Sequence, residues 1–106
     1  MFSKDFSLIP LFDRYGALLT EKQQTAFSLY FNEDFSLSEI AEHTQTSRQA
    51  VRSLLQKTAQ ELRRFESVLH LCEKERHITS LAAELEEAEG NQLKVVAAAI
   101  LSAIKE

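Results

Sequence analysis

The sequence predicts an all-α fold, a helix-turn-helix bundle with a long second motif helix and a C-terminal helical hairpin. Three observations lead there. Only two Gly and one Pro punctuate the 106 residues, so tight hairpins have little to work with, while the good helix formers Leu, Ala, Glu, Gln, Lys and Arg are plentiful. Apolar residues recur three and four positions apart, the period of one helix face. The stretch from Ser36 to Leu55 reads as a short helix, a polar turn and a second helix. A hydrophobic content of 44% is enough for a packed core and sets the disordered class aside.

Leu8, Leu11, Phe12, Tyr15 and Leu19 mark a first helix that ends near Gly16. Ser7 is available as its N-cap, and Pro10 falls within the first turn, where a missing N–H is tolerated. Thr20 caps a second helix through about Phe31, whose Ala26, Phe27, Tyr30 and Phe31 supply bulky contacts before Asn32-Glu33-Asp34 breaks the pattern. These aromatics stand at buried helical spacing and are not interleaved with Lys or Arg, so they read as core, not as platforms for stacked bases. Ser36 and Glu39 make a Ser-x-x-Glu capping box, in which each side chain satisfies a free backbone N–H. The third helix that starts there runs to about His43. Beyond it, Thr44-Gln45-Thr46-Ser47 offers side-chain hydrogen bonds that compete with the helical backbone and a fresh N-cap at Thr46 or Ser47.

The fourth helix carries Val51, Leu55, Thr58, Leu62, Phe65 and Leu69 at alternating spacings of four and three. That 3.5-residue period is the signature of a seam laid along another helix, supplied either by the C-terminal helices or by a second copy. In the last third, Ile78, Leu81, Ala82, Leu85 and Ala88 form one apolar stripe. Glu89-Gly90-Asn91 supplies a stop and a new cap, and Leu93, Val96, Ala97, Ile100 and Ile104 form the next stripe. The expected division is a helix-turn-helix domain over residues 1–70 and a helical hairpin over residues 71–106, packed on that domain or on a dimer partner.

Charge narrows the function. The total is −4, yet residues 36–64 hold five basic and three acidic groups, whereas residues 1–35 hold three and five and residues 65–106 hold four and eight. A protein that coats nucleic acid by bulk electrostatics is excluded, and the positive excess falls on the helix-turn-helix segment. In such a motif the first helix braces the phosphate backbone and the second lies in the major groove with its N-terminal residues at the base edges. Ile40, Ala41, Val51 and Leu54 provide the apolar crossing, with Ala41 small enough for close approach. Outside it, Ser47, Arg48, Gln49 and Arg52 stand at the start of the second helix. Arg pairs with guanine or a phosphate, and Gln with adenine. Gln56 and Lys57, a turn or more further on, suit the backbone. Gln45 takes the turn position often held by Gly and implies a left-handed residue there.

The run Leu19-Thr20-Glu21-Lys22-Gln23, Leu29 through Glu42 and Ser47-Arg48-Gln49-Ala50-Val51, preceded by Leu11-Phe12-Asp13 and Tyr15-Gly16, resembles the YlxM family of small bacterial proteins. The helix-turn-helix of that family is similar to region 4 of sigma factors. The resemblance spans residues 8 to about 72, and the acidic tail shares only the family's character. It implies a DNA-binding or regulatory protein and, from the neighbourhood of such genes with those of the signal recognition particle GTPase and its receptor, a place in that targeting pathway.

No metal or cofactor is expected. His43, His70 and His77 with Cys72 offer no second close ligand pair, and no Gly-rich loop prepares a phosphate or oxyanion pocket. Enzyme activity is not expected. The lone Cys72 has no disulfide partner, and the longest apolar stretch, Val95 to Leu101, is far shorter than the roughly 20 residues of a membrane span, so a cytoplasmic setting is expected. The leading expectation is a homodimer bound to duplex DNA. Its seam would use Val51, Leu55, Leu62, Phe65 and Leu69 with the hairpin and would set two motif helices about 34 Å apart. The alternative is an adaptor that keeps the fold but contacts protein or RNA components of the particle, for which the acidic tail is suited.

Overall fold

The structure, a computed structural model, describes residues 4–87 and 90–105, with Asn91 and Lys105 described by backbone alone. Among the described residues the regular structure is helical: α1 (Leu8–Tyr15), a 3-10 turn (Gly16–Leu18), α2 (Glu21–Phe31), α3 (Leu37–Thr44), α4 (Arg48–Leu69), α5 (Leu71–Glu87) and α6 (Asn91–Lys105). The chain forms two compact units, one ending at Leu69 and the other beginning at His70.

In the first unit, α1, α2 and α3 all pack against α4. Two capping boxes set the geometry. The Thr20 side chain accepts from Gln23 N, while Gln23 Oε1 accepts from Thr20 N at 2.9 Å. Ser36 and Glu39 repeat the arrangement at the start of α3. Gln23 does a second job: although only 4% exposed, its Nε2 donates to Glu61 Oε2 of α4 at 2.8 Å, so the amide that caps α2 also ties it to the long helix.

The core has two parts. Phe27 is sandwiched, its ring stacked 4.2 Å from Phe12 and 4.3 Å from Phe31, which makes it the aromatic centre joining α1 to α2. Under the helix-turn-helix, Ala26, Ile40, Ala41, Val51 and Leu55 form one buried cluster. Tyr15 is buried, and its hydroxyl donates to Glu66 Oε1 at 2.6 Å.

The α4 seam has an occupant that its period alone does not name. Val51, Leu55, Thr58 and Leu62 are buried, with α1, α2 and α3 packed along α4, so these side chains are not available to a second copy. Phe65 is half-buried beside Tyr15, at 5.9 Å between ring centroids, and Leu69 is exposed. Thr58 fits the apolar seam because its hydroxyl donates to Leu54 O within the helix.

Ser7 does not cap α1. Its backbone is already helical (φ −66°, ψ −13°) and its side chain makes no capping bond. Asp5 takes that place, with Oδ1 accepting from both Ser7 N and Ser7 Oγ. Asp5 Oδ2 also receives Arg63 at 3.0 Å, and Lys4 reaches Asp34 at 2.7 Å while lying over the Tyr30 ring. The Ser7 hydrogen bonds, then Arg63, hold the Asp5 carboxyl below the usual aspartate value, and Lys4 does the same for Asp34. A folded-state value below the unfolded one contributes stability at pH above the unfolded value, and that contribution is lost as pH falls through the folded value. Carbon-detected titration of both side chains is expected to give midpoints below those of a denatured reference, with Arg63→Ala moving Asp5 upward. Equal midpoints in the two states would refute these contacts as a source of stability.

In the second unit α5 and α6 pack as a hairpin joined through Gly90, which sits at φ +63°. Ala88 and Glu89 lie outside the described residues, as does the Asn91 side chain expected to cap α6. Ile78, Leu81 and Leu85 lie inward on α5 as their stripe predicts, whereas Ala82 of the same stripe, at its edge, is exposed. On α6 the covered residues are Val96, Ala99, Ile100 and Ala103, while Leu93, Ala97 and Ile104 of the expected stripe are exposed. The covered face is thus rotated from the stripe's centre by roughly 60–70°, at about 100° per residue.

Candidate nucleic-acid interface

The turn between α3 and α4 is built by backbone as much as by side chains. Gln45 adopts φ 56°, ψ 44°, the left-handed conformation inferred at that position. Thr46 N donates to Ala41 O at 2.9 Å and Gln45 N to Glu42 O at 3.3 Å, the paired bonds of a Schellman ending. Ser47 then opens the next helix, its Oγ accepting from Ala50 N at 3.0 Å. The chain therefore reverses between Ala41, 6% exposed, and Val51, 2% exposed, and the buried crossing holds the start of α4 outward. Since Gln45 carries a Cβ in a conformation that disfavours one, Gln45→Gly is expected to stabilise the first unit by about 0.5–1 kcal/mol, after the larger entropy loss of Gly is counted. Thermal melts would show a rise of a few degrees, and no rise would contradict the strain.

From Arg48 to Gln60 the outer surface of α4 is polar and free of acid. That stretch carries three basic residues, Arg48, Arg52 and Lys57, and no Asp or Glu. The first acidic residue, Glu61, is engaged by Gln23. Ser47, Arg48, Gln49, Gln56 and Lys57 are exposed and Arg52 is half-buried. Among the described residues, Arg48, Gln49, Arg52, Gln56 and Lys57 make no side-chain hydrogen bond or ion pair within the chain, which leaves their donors unspent.

At about 100° per residue these side chains do not form one line. Arg48 and Arg52 share one flank, Gln49 and Gln56 lie near the middle, and Lys57 lies on the opposite flank. Sequence reasoning passed over Ser53 and Gln60, both exposed and at the centre of this face. Ser53 stands nearly opposite the buried Leu62, a position that helical rotation alone could have identified. Arg48 and Lys57 are nine residues apart, about 13 Å along the axis, close to the roughly 12 Å width of a DNA major groove.

Other features offer less. An apolar groove of about 580 Å³ between α2, α3 and α4 is lined by Ala26, Ile40, Val51 and Leu54, with Glu21 and Lys22 as its charged residues. Thr25, Thr44 and Thr46 add hydroxyls at its edge. Among the described residues no three His, Cys, Asp or Glu side chains are placed to hold a metal ion, and no helix is long and apolar enough to cross a membrane.

A short helix crossing the start of a long one through a buried small residue, with a left-handed turn between them and an exposed polar face on the second, defines a helix-turn-helix protein. The family model for UPF0122, described as helix-turn-helix protein, YlxM / p13 like, matches residues 2–100. The chain belongs to this family. A UPF0122 protein of Clostridium kluyveri is 50% identical over 68 residues, which is 64% of this chain and 61% of that protein. One from Clostridium botulinum is 43% identical over 81 residues, covering 73% and 74% of the two chains. One from Halalkalibacterium halodurans is 41% identical over 92 residues, covering 87% and 84%. The match therefore spans less than two thirds of the C. kluyveri protein and most of the H. halodurans one.

Proposed function

We propose that this chain is a cytoplasmic DNA-binding regulator that lays the outer face of α4 in the major groove. In this reading Gln49 approaches base edges, Arg48 and Arg52 approach base edges and the phosphates beside them, Gln56 and Lys57 approach phosphates, and Ser47 keeps its hydroxyl proton for a phosphate oxygen. The observation that carries it is the acid-free run from Arg48 to Gln60, exposed on the second helix of a helix-turn-helix with its cations unpaired. In a protein of net charge −4, sparing this one face concentrates the attraction where the motif needs it. The test is titration against duplex DNA at two salt concentrations. Three phosphate-neutralising cations predict that affinity falls about 40-fold between roughly 50 and 200 mM salt. An absence of duplex binding at the lower salt would overturn the proposal.

A second reading is favoured by the hairpin, where Glu73, Glu75, Glu84, Glu86 and Glu87 are exposed. An acidic surface suits a basic partner, and a component of the signal recognition particle is the partner that the family resemblance suggests. Parallel titrations with the particle's RNA and its purified GTPase separate the readings. Tight, saturable binding to either, with none to duplex, selects the adaptor.

A further inference from the structure

We infer that α6 pairs in parallel with α6 of a second copy of this chain, through a stripe that the hairpin leaves uncovered. Between Lys94 and Lys105 the helix carries no charge and one hydroxyl, Ser102. A helix apolar around its whole circumference is one that is buried on more than one side, yet α5 covers only the side of Val96, Ala99, Ile100 and Ala103. Leu93 remains 40% exposed, Leu101 57% and Ile104 62%. With Ala97, and with half-buried Ile100 at the border of the covered side, they line one side of the helix, and Leu93, Ala97, Ile100 and Ile104 follow the alternating four-three-four spacing of a two-helix seam.

Three features select a second copy as the occupant. The stripe has no charge for a basic or acidic partner to recognise, whereas an uncharged heptad seam is complementary to itself, as a two-fold interface requires. Charge sets the direction. On the same side of the hairpin α5 presents Glu75 and Glu86, while the far flank of α6 presents Lys94, all exposed. A parallel two-fold pairing brings each Glu86 beside Lys94 of the other copy, and an antiparallel one stacks acidic rows on each other. Such surface charges add little affinity but choose orientation. Finally, the area fits a modest dimer. The 15 residues of α6 span about 22 Å, and a seam of that length falls below the roughly 1,200–2,000 Å² of tight complexes, so dissociation in the micromolar range is expected.

Sedimentation equilibrium of the full chain is expected to show a monomer–dimer equilibrium. Leu101→Lys with Ile104→Lys would weaken it at least ten-fold while circular dichroism stays helical. A wild-type protein that remains monomeric at several hundred micromolar, or a double variant that dimerises like the wild type, would overturn the inference. If that variant loses helicity, cysteine cross-linking in a Cys72→Ala background decides. Ala97→Cys should oxidise to a covalent dimer, and Val95→Cys, on the opposite side of α6 and 69% exposed, should not. Equal cross-linking at both positions, or none at Ala97→Cys, counts against the pairing.

Discussion

Replacing Arg48 and Arg52 together by alanine is expected to weaken duplex binding about a hundred-fold at low salt. A specific arginine contact of this kind is worth roughly 1–3 kcal/mol, and each 1.4 kcal/mol is a factor of ten. The two side chains lie one turn apart on one flank of α4, so their loss removes a contiguous contact. The salt dependence should become shallower at the same time, by about one unit of slope for each phosphate contact removed. Arg52 is half-buried, so truncating it removes packing of its aliphatic stem as well as its charge, and thermal melts of the variants separate affinity from folding. Gln60→Ala, at the centre of the same face but further along α4, should have a much smaller effect. If the folded double variant binds duplex as the wild type does, α4 is not the reading helix.

The largest stability effect is expected at Phe27. Its ring joins the stacks to Phe12 and Phe31 and is 2% exposed, so Phe27→Ala opens a cavity that two rigid neighbours cannot fill. Such truncations cost about 3–5 kcal/mol, a large share of the roughly 5–15 kcal/mol that keeps a typical domain folded. Urea denaturation should show a midpoint shifted far downward, with the melting temperature lowered by more than about 10 °C. Phe35→Ala, at a half-buried position on the edge of the other cluster, should cost distinctly less. A loss below about 1 kcal/mol at Phe27 would show that the aromatic sandwich is not the centre of the first unit.

Much of this architecture is legible in the residues because it is local. The Ser36 and Glu39 box, the Thr20 cap and the left-handed Gln45 are each settled within four or five residues by hydrogen bonds that the side chains carry with them. Ser7 misleads for the same reason. Asp5, two residues earlier, is the stronger acceptor and draws both the backbone and the hydroxyl of Ser7 to itself. The stripes placed a division at residues 70/71, but the left-handed conformation that makes it at His70 was not legible. Its left-handed φ of 55° separates α4 from α5 with no Gly, Pro or Asn to announce it, and its ring meets Glu73 at 3.0 Å, one turn into α5.

By itself the sequence determined the all-α class, the helix-turn-helix and the polar side chains at the start of its second helix, because capping, periodicity and charge act over one or two turns. Only the tertiary structure decided what each apolar stripe meets. Along α4 the seam is taken by α1, α2 and α3, and on α6 the stripe is divided between a covered side and an exposed one. A period shows that a face is apolar, but its occupant depends on residues far away in the chain, whose approach no local pattern encodes.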